Sequence, residues 1–279
     1  MHPVLLWHPR VTSYGAMLAL AWVVGWWLAR RRAVRFGIPV WHIDGLMPLL
    51  ILVMFAGSRW AGRLSQLAVP GFSNDRILLG GVVAAVAVVV VAAALARVPL
   101  GRIGDVFAFS LPAGIAALRA GCFLAGCCWG RMCSQQWLAG VTYPAGSPAY
   151  HQHLMAGSLP AHAERSLPVH PVPLYEAAAM LGLLVVLVVL DRRWVRWGES
   201  FLAFGLGYCV VRFLIEWLRA DSASLVYGLT FSQVASIGCT GVCAAVWMAR
   251  CRLAARGHTG LYRGRLAVGE LESVTMEPR

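Results

Sequence analysis

Seven apolar runs set the terms on which this chain folds: Val11–Leu28, Leu46–Trp60, Ile77–Leu95, Val106–Leu118, Leu174–Leu190, Phe201–Leu218 and Leu229–Met248. A helix of about 17–25 predominantly apolar residues crosses a bilayer, where lipid offers no partner to an exposed backbone amide or carbonyl. The second and fourth runs are the short ones. With 59% hydrophobic and 13% charged residues, the chain exceeds the about 45–50% apolar content of soluble domains. Its mean hydropathy is +0.68. The expected fold class is an all-α polytopic membrane protein of about seven transmembrane helices. The first run ends in Arg30, Arg31 and Arg32 rather than in a small-residue cleavage site, so it is expected to remain as a helix.

Charge then orients the bundle. The net charge is +12 and all 24 basic residues are arginine. In a soluble protein this balance would suggest nucleic acid, but in a membrane protein it reports topology, and no nucleic-acid partner is expected. Arg30, Arg31, Arg32 and Arg35 follow the first run, Arg97 and Arg102 the third, Arg192, Arg193 and Arg196 the fifth, and Arg250, Arg252, Arg256, Arg263 and Arg265 the seventh. The positive-inside rule places these loops in the cytoplasm, with the amino terminus outside and the carboxy terminus cytoplasmic. Residues 1–256 form one transmembrane domain in this reading. Within it, residues 119–173 make a periplasmic cap, rich in Gly, Pro and Ser beyond Met132, and residues 257–279 form a cytoplasmic tail. Trp26, Trp27, Trp41, Trp60, Trp129, Trp194 and Trp197 fall near run ends, where indoles anchor in the interface.

Arg212, Glu216 and Arg219 interrupt the sixth run at spacings that share one helical face. Ionised side chains at membrane depth need partners, and they mark functional sites. On the expected topology Tyr14, Arg59, Arg119, His170, Glu176, Arg212 and Glu216 all lie toward the outer face. Arginines gathered there suit the phosphate of an anionic lipid. Structural pairing of the arginines with Glu176 and Glu216 is the plainer alternative.

Cys122, Cys127, Cys128 and Cys133 fall in the spacing C-x4-CC-x4-C. Disulfides bracing the cap, a thiolate nucleophile beside Arg119, a redox pair and a soft-metal site all fit four thiols. The adjacent Cys127–Cys128 pair is awkward for a single tetrahedral site, and neither a metal nor an organic cofactor is expected. His151, His153 and His162 read as loop histidines. His170 is better placed, either to orient Glu176 or to act as a base.

Five segments in order, SYGAMLAL (Ser13–Leu20), AGSRWAGR (Ala56–Arg63), LRAGCFLAGCCWGR (Leu118–Arg131), HPVPLYEA (His170–Ala177) and YCVVRFLIEWLRAD (Tyr208–Asp221), resemble the prolipoprotein diacylglyceryl transferase family. The resemblance implies transfer of a diacylglyceryl group from phosphatidylglycerol to the lipobox cysteine of a prolipoprotein, or to another thiol acceptor, in the bacterial inner membrane with the site facing the periplasm. It implies that Arg119 and Arg212 hold the phosphate, supported by Tyr14, Arg59, Gly80, Gly81, Tyr175, Glu176, Glu216 and Arg219. Cys122, Cys127, Cys128 and His170 are further candidates for the chemistry. The chain departs from the family pattern in the acceptor half. Leu79 stands for the histidine of HGG, Cys122 and Ala125 for two asparagines, Cys127 for a glutamate, and Val169 for the arginine before HPxxLYE.

Overall fold

The computed structural model describes residues 12–68, 74–134, 137–160, 162–191, 196–220 and 224–255. Val11, Arg192, Arg193, Trp194, Asp221, Arg256, Arg263, Arg265 and the tail at 257–279 lie outside them, as does the side chain of Leu79. Seven long helices follow the seven apolar runs: α1 Ser13–Arg35, α2 Val40–Ala68, α3 Asn74–Leu95, α4 Leu100–Ala125, α6 Val172–Leu190, α7 Glu199–Glu216 and α8 Phe231–Ala255. A short helix, α5 Pro148–Met155, sits in the connection between α4 and α6, and a two-stranded hairpin, β1 Ser224–Val226 and β2 Leu229–Thr230, precedes α8. Among the described residues, four helices, α2, α4, α6 and α8, are long and apolar enough to cross a membrane.

The fourth apolar run underestimates its helix, which extends from Leu100 to Ala125. The reason is burial by protein. α4 packs against α1, α6 and α7, and 56% of its most apolar window is buried, compared with 6% for α8. A helix surrounded by other helices tolerates Asp105, Ser110 and Pro112, which break the hydropathy of its sequence. Asp105 is fully buried, and its two oxygens accept from the backbone amides of Gly198 at 2.7 Å and Phe201 at 3.1 Å. It thereby caps α7 across the bundle, satisfying donors that a helix start leaves open.

Helix association in lipid rests on close packing rather than on the hydrophobic effect. Ala21, Gly25, Ala29 and Ala33 repeat every four residues on the buried face of α1. They let α4 approach so closely that a Cβ on Gly121 would meet the Met17 Cβ at 2.8 Å. The α2–α3 pair uses the same device, since a Cβ on Gly80 would fall on Ala61 and Gly57 and one on Gly81 on Ser58 and Met54.

The helices alternate in direction, so the bundle has two chemically distinct ends. One gathers the carboxy ends of α1 and α6, where Arg32 and Arg35 pair with Asp191 at 2.7 and 3.0 Å. At that end Arg102 also donates to the carbonyl of Phe36. The other end gathers the carboxy ends of α4 and α7 with the amino ends of α1, α6 and α8, beneath the segment from Gly126 to Pro171.

Candidate functional site

Four helices deliver one ionic network to this second end. Arg119 comes from the last turns of α4, Glu176 from the second turn of α6, Arg212 and Glu216 from the last turn of α7, and Ser232 from the first turn of α8. Arg119 Nε lies 2.5 Å from Glu176 Oε2, and Arg212 Nη1 lies 3.3 Å from Glu176 Oε1 and 2.8 Å from Glu216 Oε2. Glu176 therefore bridges two arginines on different helices. Arg212 Nη2 also donates to Ser232 Oγ at 2.9 Å.

Arg219 joins by a different route from the expected helical stripe. α7 ends at Glu216, and the turn that follows returns Arg219 so that its Nε lies 3.9 Å from Glu216 Oε2. The backbone after α7 then pairs with the WGR segment: Arg131 N donates to Leu218 O at 2.7 Å, and Arg131 Nε to Arg219 O at 3.3 Å. Gly130 N donates to His170 O at 3.0 Å, so the segment Gly130–Arg131 also ties down the start of α6. A Cβ on Gly130 would strike the His170 backbone and the Val172 side chain, which is why glycine stands there.

Glu176 is 4% exposed, Glu216 2%, Arg212 9% and Arg219 6%. Among the described residues, three guanidinium groups and two carboxylates meet at this depth. Charges taken out of water are costly unless matched, so the members of this network hold one another in place.

The remaining expected residues divide. Tyr14 lies against α4 at Gly121, next to the network. Tyr175 Oη is 3.4 Å from His170 Nδ1 and 3.3 Å from Trp137 Nε1. The polar contact of His170 is thus with Tyr175, not Glu176. Arg59 is exposed, with its guanidinium 5.4 Å from the Phe55 ring centre on its own helix. Gly80 and Gly81 pack α3 onto α2. His153 is buried in α5 and accepts from Leu167 N at 3.3 Å, and burial lowers its pKa, so it serves the cap.

The cysteines take a defined geometry. α4 ends at Gly126 in the left-handed conformation, Gly126 N donates to Phe123 O, and Cys127 N to Cys122 O. This pattern is a Schellman cap, which brings residue Cys127 back over Cys122. Cys128 also has a positive φ of 58° and turns the third sulfur toward the first two. The Sγ atoms of Cys122, Cys127 and Cys128 all lie within 4.8 Å of one another, and all three are free thiols, as is Cys133. Hydrogen bonds from Cys122 and Cys127 lower the pKa of the Cys128 thiol, and the charges of Arg219 and Arg119 act in the same direction. Hydrogen bonds with Cys122 and Cys128, together with burial, push the Cys127 thiol up. Tyr143 is fully buried beside Gly126, and burial, with the neighbouring Cys127 and Cys128, pushes its phenol up to about 12.

Thr230, Ser232 and Gln233 carry parts of this site that motif reading passed over. Thr230 Oγ1 donates to Glu216 Oε1 at 2.8 Å. Gln233 N donates to Thr230 Oγ1 at 3.3 Å, while Thr230 N donates to Gln233 Oε1 at 3.0 Å. These reciprocal bonds form a capping box, and its signal, T-F-S-Q before an apolar run, stands in the sequence.

A family model described as prolipoprotein diacylglyceryl transferase matches residues 3–249. Similar proteins named phosphatidylglycerol–prolipoprotein diacylglyceryl transferase include one from Geobacillus kaustophilus, 29% identical over 252 residues, covering 85% of this chain and 87% of its own length. One from Xanthomonas oryzae pv. oryzae is 30% identical over 258 residues, covering 82% and 83%. One from Cereibacter sphaeroides is 27% identical over 273 residues, covering 81% and 89%. With the match running almost the whole chain, this membrane protein belongs to the prolipoprotein diacylglyceryl transferase family.

Proposed function

We infer that this protein transfers the diacylglyceryl group of phosphatidylglycerol to a thiol, most simply the lipobox cysteine of a prolipoprotein. The observation that carries the inference is the convergence of Arg119, Arg212 and Arg219 on Glu176 and Glu216 at one end of the bundle. A phosphodiester carries one negative charge, and guanidinium forks bind its oxygens. The relatives' names supply the substrate pair. The seven long helices would cross the inner membrane with the amino terminus outside, which puts the network at the periplasmic face.

The thiolate sulfur attacks the sp3 glyceryl carbon that bears the phosphate. A carbon–sulfur bond forms, the carbon–oxygen bond breaks with its electron pair on oxygen, and glycerol phosphate leaves. Negative charge grows on the phosphate as the bond breaks. Arg119 and Arg212, held in place by Glu176, Glu216 and Ser232, meet that charge without reorganising. The same positive field favours the thiolate over the thiol of the incoming cysteine. His170 positions Tyr175 at the entrance to α6. No organic cofactor enters such a displacement.

Purified protein incubated with labelled phosphatidylglycerol and a lipobox peptide is expected to release glycerol phosphate and to label the peptide cysteine. Release of glycerol phosphate with the label on a different thiol would transfer the assignment to another acceptor. Absence of release, with the wild-type fold intact, would overturn it.

A further inference from the structure

Cys122, Cys127 and Cys128 form a second constellation at the same end of the bundle, which diacylglyceryl transfer leaves unused. A shuttle through one of these sulfurs fails on chemical grounds: the thioether formed would have to release a thiolate from an sp3 carbon, a far poorer leaving group than the phosphate just expelled. The three sulfurs are instead arranged as a set of ligands.

We propose that Cys122, Cys127 and Cys128 bind a thiophilic d10 cation, Cu(I), through three sulfurs at the carboxy end of α4. Metal–sulfur bonds of about 2.3 Å, the length of a zinc–thiolate bond, separate three trigonal sulfurs by about 4 Å. The sulfurs here already lie within 4.8 Å of one another, so closing the site needs only small side-chain rotations. Two backbone features create this proximity. The Schellman cap at Gly126 stacks Cys127 on Cys122, and the left-handed Cys128 reverses the chain so that adjacent cysteines point to a common centre. A non-glycine residue held at φ 58° carries strain, and such strain gathers at ligand sites. This turn removes the objection that neighbouring cysteines cannot share one ion.

Donor number selects the metal. Three thiolates complete the coordination of Cu(I), whereas Zn(II) takes four ligands, and among the described residues no histidine or carboxylate joins the group. Binding releases the thiol protons to solvent. The guanidinium groups of Arg119 and Arg219 stand beside the sulfurs and offset the negative charge of a Cu(I)–trithiolate.

The test uses the full-length protein, purified without oxygen in a phosphine reductant and titrated with Cu(I) against a chromogenic Cu(I) chelator, with Zn(II) in a parallel arm. Retention of about one Cu(I) per chain is expected, with weaker Zn(II) binding that Cu(I) displaces. Cys128→Ser should lower Cu(I) affinity at least about tenfold, and Cys133→Ser should leave it unchanged. In unmutated protein, Cu(I) should shield Cys122, Cys127 and Cys128 from alkylation while Cys133, in the cap and outside the three-sulfur group, still reacts. Copper that is not retained, survives Cys128→Ser, gives way to Zn(II), or leaves the three thiols open to alkylation would overturn the proposal.

Discussion

The two ends of the bundle both bring arginines onto buried carboxylates, yet they are built to different purposes. At one end Asp191 accepts Arg32 and Arg35, whose side chains are 14% and 57% exposed. The second arginine there reaches water, and solvent carries the excess charge. At the other end Arg119, Arg212 and Arg219 are 17%, 10% and 5% exposed at the side chain, so their charges stay inside the protein. The same residue type thus anchors a helix end where solvent shares its charge and builds a buried ionic network where solvent does not.

Glu176→Gln breaks this contrast most severely, because it takes from Arg119 its carboxylate and leaves three guanidinium groups facing one. Loss of about 3–5 kcal/mol of stability is expected, read as a lowered melting temperature in detergent. Arg212→Gln should be milder for the fold, since Glu176 keeps Arg119 and Glu216 keeps Arg219 and Thr230. Its turnover should fall about 10²–10³-fold in the glycerol phosphate assay, and normal turnover in folded Arg212→Gln protein would refute its phosphate role.

The opposite end sharpens the comparison. Asp191→Asn should cost about 1–3 kcal/mol of stability with turnover unchanged, because the partners of Asp191 lie at the far end of the bundle from Glu176. A parallel loss of activity would mean that the ends are not independent. The smallest effect is expected from Thr230→Val, which removes the α8 cap and one hydrogen bond to Glu216. About 1 kcal/mol of stability and a modest rise in KM should result.

Much of the site was legible in the motifs, though not its connections. Arg119, Glu176, Arg212 and Glu216 stood out as ionised residues in apolar runs, and the structure brings them together. Arg219 followed the expected helical spacing but arrives through a turn, because α7 ends at Glu216 and the chain pairs with Gly130 and Arg131. Arg59, expected among the supporting residues, lies over Phe55. Gly80 and Gly81, expected among the same supporting residues, pack α3 closely onto α2. Thr230, Ser232 and Gln233 were missed because short polar residues at a helix start look like ordinary capping until the facing carboxylate is known.

The amino-acid sequence alone determined that this chain is helical and lives in a membrane, because apolar run length and charge distribution are properties of the solvent each segment must face. It also determined which ionisable residues carry an unusual energetic cost. Only the tertiary structure decided which of them meet. Pairing across α4, α6, α7 and α8 depends on helix ends set by local turns, and a turn at Gly126 or after Glu216 redirects a side chain by several ångströms without leaving a mark on hydropathy.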